Sequence, residues 1–132
     1  MLDQGYDFSF SGLKTAVVNH VRKHPGVAIP DVAASFQEAV VDVLTAKLVA
    51  AADESGAPTL VLGGGVAANS RLRDRVAAAA EASGRRVFLP PLALCTDNGA
   101  MIAAAAWWRL QADGPTPLDA GIAPSLALPT II

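Results

Sequence analysis

The sequence predicts an α/β fold in which a short parallel sheet is flanked by helices. Apolar residues recur at helical spacing in several segments, and the high alanine content also favours helix. Between these segments, residues 59–62 (TLVL) and 86–89 (RVFL) are short apolar runs typical of buried parallel strands. Because helices alternate with these runs, the strands should pair in parallel. Two strands, with a third near Phe8, are few for a doubly wound sheet, so we expect a truncated one.

The first two helices are defined by their apolar stripes and by the residues at their ends. Apolar and polar residues alternate over 7–12, as in an extended segment, and Ser11 can cap the first helix, which Pro25 ends. Asp31 is the expected N-cap of the second helix, and Gly56 is its expected stop. The stripe of this second helix consists of Val32, Phe36, Val40, Val43, Leu44 and Leu48.

Composition restricts the class of protein. A chain of 132 residues fits one domain, with an extended, proline-punctuated tail from about 115 to 132. A net charge of −2 does not indicate a strongly basic surface. Aromatic residues, at 5%, are too few for the base-stacking surface of a single-strand-binding protein. A single cysteine excludes an internal disulfide and suits a reducing compartment. The apolar stretch 100–108 is too short to span a bilayer, so we expect a soluble, cytoplasmic protein.

Residues 63–65 (GGG) directly follow the first predicted strand and form the first candidate site. Glycines allow a tight turn and let a flat or charged ligand approach the main chain. The third helix should start near Asn69 or Ser70 and end by Gly84, and the amide of Asn69 suits a ribose or a purine edge. The pattern is neither a P-loop nor a complete dinucleotide fingerprint. A tight connection with Asn69 as a mere helix cap explains it equally well.

The segment that follows the second predicted strand is the second candidate. Ligands of open α/β sheets gather at the carboxyl ends of strands, which is where Asp97 lies in the sequence. Its carboxylate could bind a metal ion, but either Thr96 or Asp97 could simply cap the fourth helix, and capping is the commoner role. Gly114 should end that helix, and Cys95 is expected to be a small buried residue.

Two other groups of polar residues are weaker candidates. His20 and His24 have the spacing of a helical zinc pair, but His24 precedes a proline, and a solvated helix end is the favoured interpretation. Arg71, Arg73 and Arg75 alternate, so only Arg71 and Arg75 share a helix face, and with Arg85 and Arg86 nearby they could form a modest positive region. Such charges are more often the exposed side of a helix.

Three segments together resemble the carboxyl-terminal part of the TsaD family, once labelled O-sialoglycoprotein endopeptidase. They are residues 7–15 (DFSFSGLKT), 64–69 (GGVAAN) with the nearby arginines, and 95–103 (CTDNGAMIA). The resemblance implies the second lobe of an actin-like ATPase fold of the sugar kinase and Hsp70 superfamily. It also implies the transfer of a threonylcarbamoyl group from an adenylate to the exocyclic amine of the adenosine beside the tRNA anticodon.

The resemblance assigns roles to four residues. Asn69 would bind ATP or threonylcarbamoyl-AMP, with Gly64 and Gly65 packed against the nucleotide. Asp97 would be a ligand of one divalent metal ion, iron or zinc. TsaB-like and TsaE-like proteins and tRNA are the partners that the family implies.

The chain departs from the family pattern in one important respect. The family's two metal-binding histidines lie in a first lobe, for which this chain has no counterpart, and the pair His20 and His24 is not a replacement. A single Asp97 cannot hold a metal tightly, so we expect the isolated chain to be inactive. The unpaired sheet edge invites self-association. The alternative is a non-catalytic scaffold lobe that acts by protein–protein association, against which the retention of Asn69 and Asp97 argues.

Overall fold

The computed structural model describes residues 5–6, 10 and 12–125, and this part of the chain forms four helices and a two-stranded parallel sheet. The elements are α1 (Leu13–Lys23), α2 (Ile29–Ser55), β1 (Thr59–Val61), α3 (Ser70–Ala82), β2 (Arg86–Phe88) and α4 (Gly99–Asp113). Short 3₁₀ turns at Gly65–Ala68 and Leu92–Leu94 follow the two strands. The prediction of an α/β fold with a short parallel sheet is confirmed. The chain divides into two compact units between Thr96 and Asp97.

In the first unit, α3 is the crossover that makes β1 and β2 parallel. The strands pair in the register Thr59 to Arg86, Leu60 to Val87 and Val61 to Phe88. The amide of Leu62 continues the ladder by donating to the carbonyl of Phe88 at 3.2 Å. Parallel strands need such a connection because the chain must return to the same end of the sheet. Both strands therefore end at the same edge, where the glycine loop begins.

The core of the first unit lies between the sheet and the two helices that pack on it. Its buried members are Val41, Ala52, Leu60, Leu72, Val76 and Ala80. They come from the middle and end of α2, from β1 and from one face of α3. Val76 is 0% exposed and Leu60 is 1% exposed, so the two elements that flank the glycine loop are fixed by apolar burial.

The start of α2 corrects one sequence prediction. The helix begins at Ile29, with Ala28 at the N-cap position and a proline in the first turn, so Asp31 is not the cap. Proline suits this turn because the missing N–H would have no helical partner there. Asp31 lies in the first turn, where its negative charge interacts favourably with the positive end of the helix dipole. Gly56 ends the helix at φ 65°, as predicted.

The beginning of the chain is described only in part. Gly12 occupies the N-cap position of α1, which ends before Pro25 as the sequence indicates. The predicted extended segment 7–12, the third strand near Phe8 and the predicted cap Ser11 lie largely or wholly outside the described residues.

The second unit contains α4 and the chain that follows it. Asn98 is the N-cap, and its Oδ1 accepts from the amide of Met101 at 3.1 Å. The expectation that Thr96 or Asp97 caps this helix is therefore wrong by one or two residues. Gly114 ends α4 at φ 76°, and residues 115–125 form no helix or strand.

Within the described residues, no helix is both long enough and apolar enough to cross a bilayer.

Candidate functional site

The glycine loop 63–65, which follows β1, has a main chain that no described side chain covers. Gly64 has φ 78° and ψ 174°, a conformation that is essentially restricted to glycine. The 3₁₀ turn that follows is closed by the amide of Ala67, which donates to the carbonyl of Gly64 at 3.0 Å. Apart from the glycine itself and its two chain neighbours, no described residue has an atom within 4 Å of the position that a Cβ would take at Gly63, Gly64 or Gly65. The main chain is thus accessible along the whole loop.

Asn69 joins this loop to α3 and uses both ends of its amide. Its Oδ1 accepts from the amide of Leu72 at 2.9 Å, so Asn69 is the N-cap of α3. Its Nδ2 donates to Oε1 of Gln37 on α2 at 3.0 Å. The capping interpretation is confirmed, but it uses only part of the amide. One N–H of Nδ2 makes no hydrogen bond to a described residue and can meet a ligand.

Two adjoining cavities lie beside these residues in the first unit. Asn69 and Gln37 line the larger one, of about 750 Å³, between α1 and α2. The loop 63–65 lines the smaller one, of about 450 Å³. Both are mainly apolar, and they share Phe10, Leu44, Val66 and Leu72. The structure therefore places Asn69 at one cavity and Gly64 and Gly65 at the cavity that adjoins it.

A pair of ion bridges holds α2 against α3 next to Asn69. Arg71 donates from Nε to Oε2 of Glu38 at 2.8 Å and from Nη2 to Oε1 at 2.6 Å. One turn further along both helices, Arg75 pairs with Asp42 at 2.6 Å. The hydrogen bonds from Arg71 lower the pKa of the Glu38 carboxyl, although partial desolvation opposes the change. These bridges span the two helices beside Gln37 and Asn69, whose spacing is set by the buried residues Val41, Leu72 and Val76.

Among the described residues, ion pairs involve three of the four arginines of the positive region that the sequence left open, all but Arg86. Arg71 and Arg75 each face a carboxylate, and Arg85 pairs with Asp53 at 2.6 Å. The charges of these three arginines are balanced by carboxylates within the first unit, which weakens the positive potential that a phosphate would meet there.

Unlike these arginines, Arg73 forms hydrogen bonds with backbone carbonyls in the loops that follow the two strands. Its Nη1 donates to the carbonyl of Ala67 at 2.9 Å, and its Nη2 donates to the carbonyl of Pro90 at 2.8 Å. Cys95 lies beside it with Sγ 3.8 Å from Nη1 and is 1% exposed, as expected for a small buried residue. The glycine loop is thus anchored at its far end.

Comparison with known proteins decides the family. A family model described as "TsaD: tRNA N6-adenosine threonylcarbamoyltransferase" matches residues 1–104. The chain belongs to the TsaD family. Proteins named tRNA N6-adenosine threonylcarbamoyltransferase are similar to it, one from Tropheryma whipplei (strain Twist) being 58% identical over 112 residues, with 80% of this chain covered. Another, from Thermosynechococcus vestitus, is 53% identical over 118 residues, with 86% of this chain covered.

The match to the TsaD family covers only part of the relatives. This chain spans 28% of the Tropheryma whipplei protein and 33% of the Thermosynechococcus vestitus protein. All four residues to which the resemblance gave a role lie within the matched range, namely Gly64, Gly65, Asn69 and Asp97.

Asp97, the TsaD-family candidate for a metal ligand, opens the second unit. Because Asn98 caps α4, the Asp97 carboxylate is not used as a cap, and it makes no hydrogen bond or ion pair to a described residue. Within 5–6, 10 and 12–125, no cluster of three or more His, Cys, Asp or Glu side chains could hold a metal ion. His20 and His24 are exposed at the end of α1, with Nδ1 of His24 2.9 Å from the carbonyl oxygen of His20.

Sequence reasoning did not single out Gln37 and Glu38. They lie in α2 next to Phe36, inside the apolar stripe, and each contacts a residue more than thirty positions away. The only local signal was that two polar residues directly follow Phe36, a member of the apolar stripe. That signal does not identify a partner on α3.

Proposed function

We propose that this chain is the carboxyl-terminal part of a TsaD-family transferase and forms part of the second lobe of an actin-like ATPase fold. The complete enzyme would move the threonylcarbamoyl group from threonylcarbamoyl-AMP to the exocyclic amine of the adenosine beside the tRNA anticodon. The family match over residues 1–104 supports this assignment. The names of the relatives support the reaction, which the chain would carry out only as part of a longer protein in the cytoplasm.

The nucleotide would bind at Asn69 and the glycine loop. The observation that carries this proposal is the Asn69 amide, which is held by two hydrogen bonds at the larger cavity and keeps one N–H for a ligand. An N–H selects an acceptor, such as a ribose hydroxyl oxygen or a purine ring nitrogen. Gly64 and Gly65 leave the main chain open, so that a flat base or a sugar can pack against it.

Asp97 would supply one ligand to a divalent ion, iron or zinc. The described residues do not make up a metal site by themselves, because such an ion needs several protein ligands. The remaining ligands would be the two histidines that the family carries in its first lobe, and the isolated chain would hold the ion weakly. A Lewis-acid ion polarises a carbonyl or orients a carboxylate when it is bound.

Titration with AMP and with uncharged adenosine, followed by ¹⁵N–¹H NMR, tests the nucleotide site. We expect saturating shifts at Gly64, Gly65 and Asn69 with weak affinity, because these residues would supply only one wall of the proposed cleft. Asn69→Asp keeps the cap but removes the donor, so it should weaken adenosine binding about two- to tenfold. Asn19→Asp adds the same charge on an exposed site of α1 and serves as the control. Shifts confined to other residues, or equal affinity in Asn69→Asp, would contradict the assignment.

A tRNA modification assay tests the proposed inactivity of the isolated chain. The chain is supplied with TsaB-like and TsaE-like partner proteins, tRNA, and threonylcarbamoyl-AMP. We expect no modified adenosine, and turnover would show that this part alone suffices. Absence of nucleotide binding in the full-length protein would instead favour the scaffold alternative.

The sheet supports a further proposal about self-association. Within the described residues β1 pairs only with β2, and the register partners Val61 and Phe88 are each 58% exposed. A free strand edge beside apolar side chains can accept a strand from a second copy. Sedimentation velocity should show dimers that increase with concentration, and Val61→Lys should return the chain to monomer. Concentration-independent monomers would refute the idea.

A further inference from the structure

Gln37 is the polar residue of α2 that faces the proposed nucleotide-binding asparagine. Its Oε1 accepts from Nδ2 of Asn69 at 3.0 Å, and both side chains line the same cavity of about 750 Å³. The neighbouring residue, Glu38, makes the bidentate bridge to Arg71 on α3. The helix backbones at this level are therefore held together independently of Gln37.

The two hydrogen bonds of Asn69 allow only one orientation of its amide. The amide of Leu72 is a donor, so it requires Oδ1, and this places Nδ2 on the side of Gln37. A rotated amide would set an NH₂ group against the N–H of Leu72 and lose the cap. In this orientation Nδ2 donates to Oε1 of Gln37 at 3.0 Å. The cap therefore sets which end of the amide faces Gln37, and Gln37 holds the amide in place by a second hydrogen bond.

We propose that Gln37 is a positioning residue that fixes the Asn69 amide and thereby presents one N–H of Nδ2 to a hydrogen-bond acceptor of the nucleotide. The effect on affinity rests on the nucleotide role proposed for Asn69, whereas the effect on the amide orientation does not. Without the acceptor, the Asn69 side chain spends less time in the competent orientation, and the apparent affinity falls by that fraction.

Two substitutions separate the hydrogen bond from the bulk of the side chain. Gln37→Met has similar length and no acceptor of comparable strength, whereas Gln37→Glu keeps an oxygen in reach of Nδ2. Gln111→Met makes the same replacement at an exposed site of α4 and is the control. Adenosine is the probe because it is uncharged, so the added charge of Gln37→Glu does not repel it.

The experiment measures the side-chain NH₂ resonances of Asn69 and the adenosine Kd in each variant of the full chain. We expect Gln37→Met to shift the Asn69 resonances and to weaken adenosine binding about three- to tenfold. Gln37→Glu should restore the affinity to within about twofold of the wild type, and Gln111→Met should change neither quantity. Circular dichroism of each variant verifies that it is folded.

Three results would decide against parts of the proposal. Unchanged Asn69 resonances in Gln37→Met overturn the positioning role. Equal weakening in Gln37→Met and Gln37→Glu also overturns it, because the loss then does not depend on the acceptor. If the wild type shows no adenosine-induced shift, the nucleotide role of Asn69 fails, while the NH₂ resonances still show whether Gln37 orients the amide.

Discussion

The guanidinium of Arg71 forms two parallel hydrogen bonds with the carboxylate of Glu38, at 2.8 and 2.6 Å. This geometry matches the planar fork of arginine to the two carboxylate oxygens. The bridge joins the middle of α2 to the first turn of α3, immediately beside the contact between Gln37 and Asn69. A charged contact thus supports the uncharged one at the candidate site.

Glu38→Gln should reduce the loss of stability at low pH. Arg71 lowers the pKa of Glu38 in the folded chain below its usual value of 4.5. The ion pair therefore contributes its full stability above that value, and the contribution disappears as the pH falls through the lower folded pKa. Urea unfolding of both proteins between roughly pH 7 and pH 3 measures the difference.

The difference in unfolding free energy between wild type and Glu38→Gln should be constant near neutral pH and shrink below 4.5. In the background Arg71→Gln, the same substitution should lose most of this pH dependence, because the partner is gone. A difference that does not change with pH would show that the pair contributes nothing to acid sensitivity.

Gly64→Ala should destabilise the first unit by about 1–3 kcal/mol. The reason is conformational, since Gly64 has φ 78° and ψ 174°, and an added Cβ meets no described atom within 4 Å. Gly63 has open space as well but no positive φ, so Gly63→Ala should change the stability by no more than about 0.5 kcal/mol. Thermal unfolding of both variants tests the contrast, and equal effects would rule out backbone strain as the cause.

The sequence was most informative where structure depends on neighbouring residues. The two strands, the stops at Gly56 and Gly114 and the cap at Asn69 were all predicted, because each depends on residues within a few positions. The predicted caps Asp31 and Asp97 were wrong because several polar residues or a proline compete near a helix start. The family was identified correctly from three short segments. The single-domain assignment of 1–132 stays a prediction.

Contacts between distant residues were not predictable. Gln37 and Asn69 are separated by 32 positions, and the polar pair that Gln37 forms with Glu38 beside the apolar stripe of α2 does not identify Asn69 as a partner. Arg73 illustrates the same limit, since the sequence placed it among surface charges, whereas the fold turns it toward two backbone carbonyls. The binding roles of Gly64 and Asn69 remain predictions.

Arg73→Lys should destabilise the loops around the candidate site. The guanidinium of Arg73 donates from two nitrogens to the carbonyls of Ala67 and Pro90. The single ammonium group of lysine cannot reach both carbonyls in this geometry, so one of them loses its donor. We expect a loss of about 1–3 kcal/mol in urea unfolding. Arg75→Lys, in a largely exposed ion pair with Asp42, should cost no more than about 0.5 kcal/mol and is the matched control. If the two variants are equally stable, the anchoring of the glycine loop by Arg73 is not supported.

Thr45→Val should stabilise the chain. Thr45 is 8% exposed, and its Oγ1 has no hydrogen-bond partner among the described residues, so folding removes a hydroxyl from water without replacing its hydrogen bonds. Valine has nearly the same shape and fills the space with a methyl group. We expect a gain of about 1 kcal/mol, measured as a higher urea midpoint. Thr45→Ser keeps the hydroxyl but deletes the methyl group, and it should lose about 1 kcal/mol because a small gap forms. If the Thr45→Val variant is less stable than the wild type, the Thr45 hydroxyl has a hydrogen-bond partner in solution. The difference in unfolding free energy would then measure the contribution of that hydrogen bond.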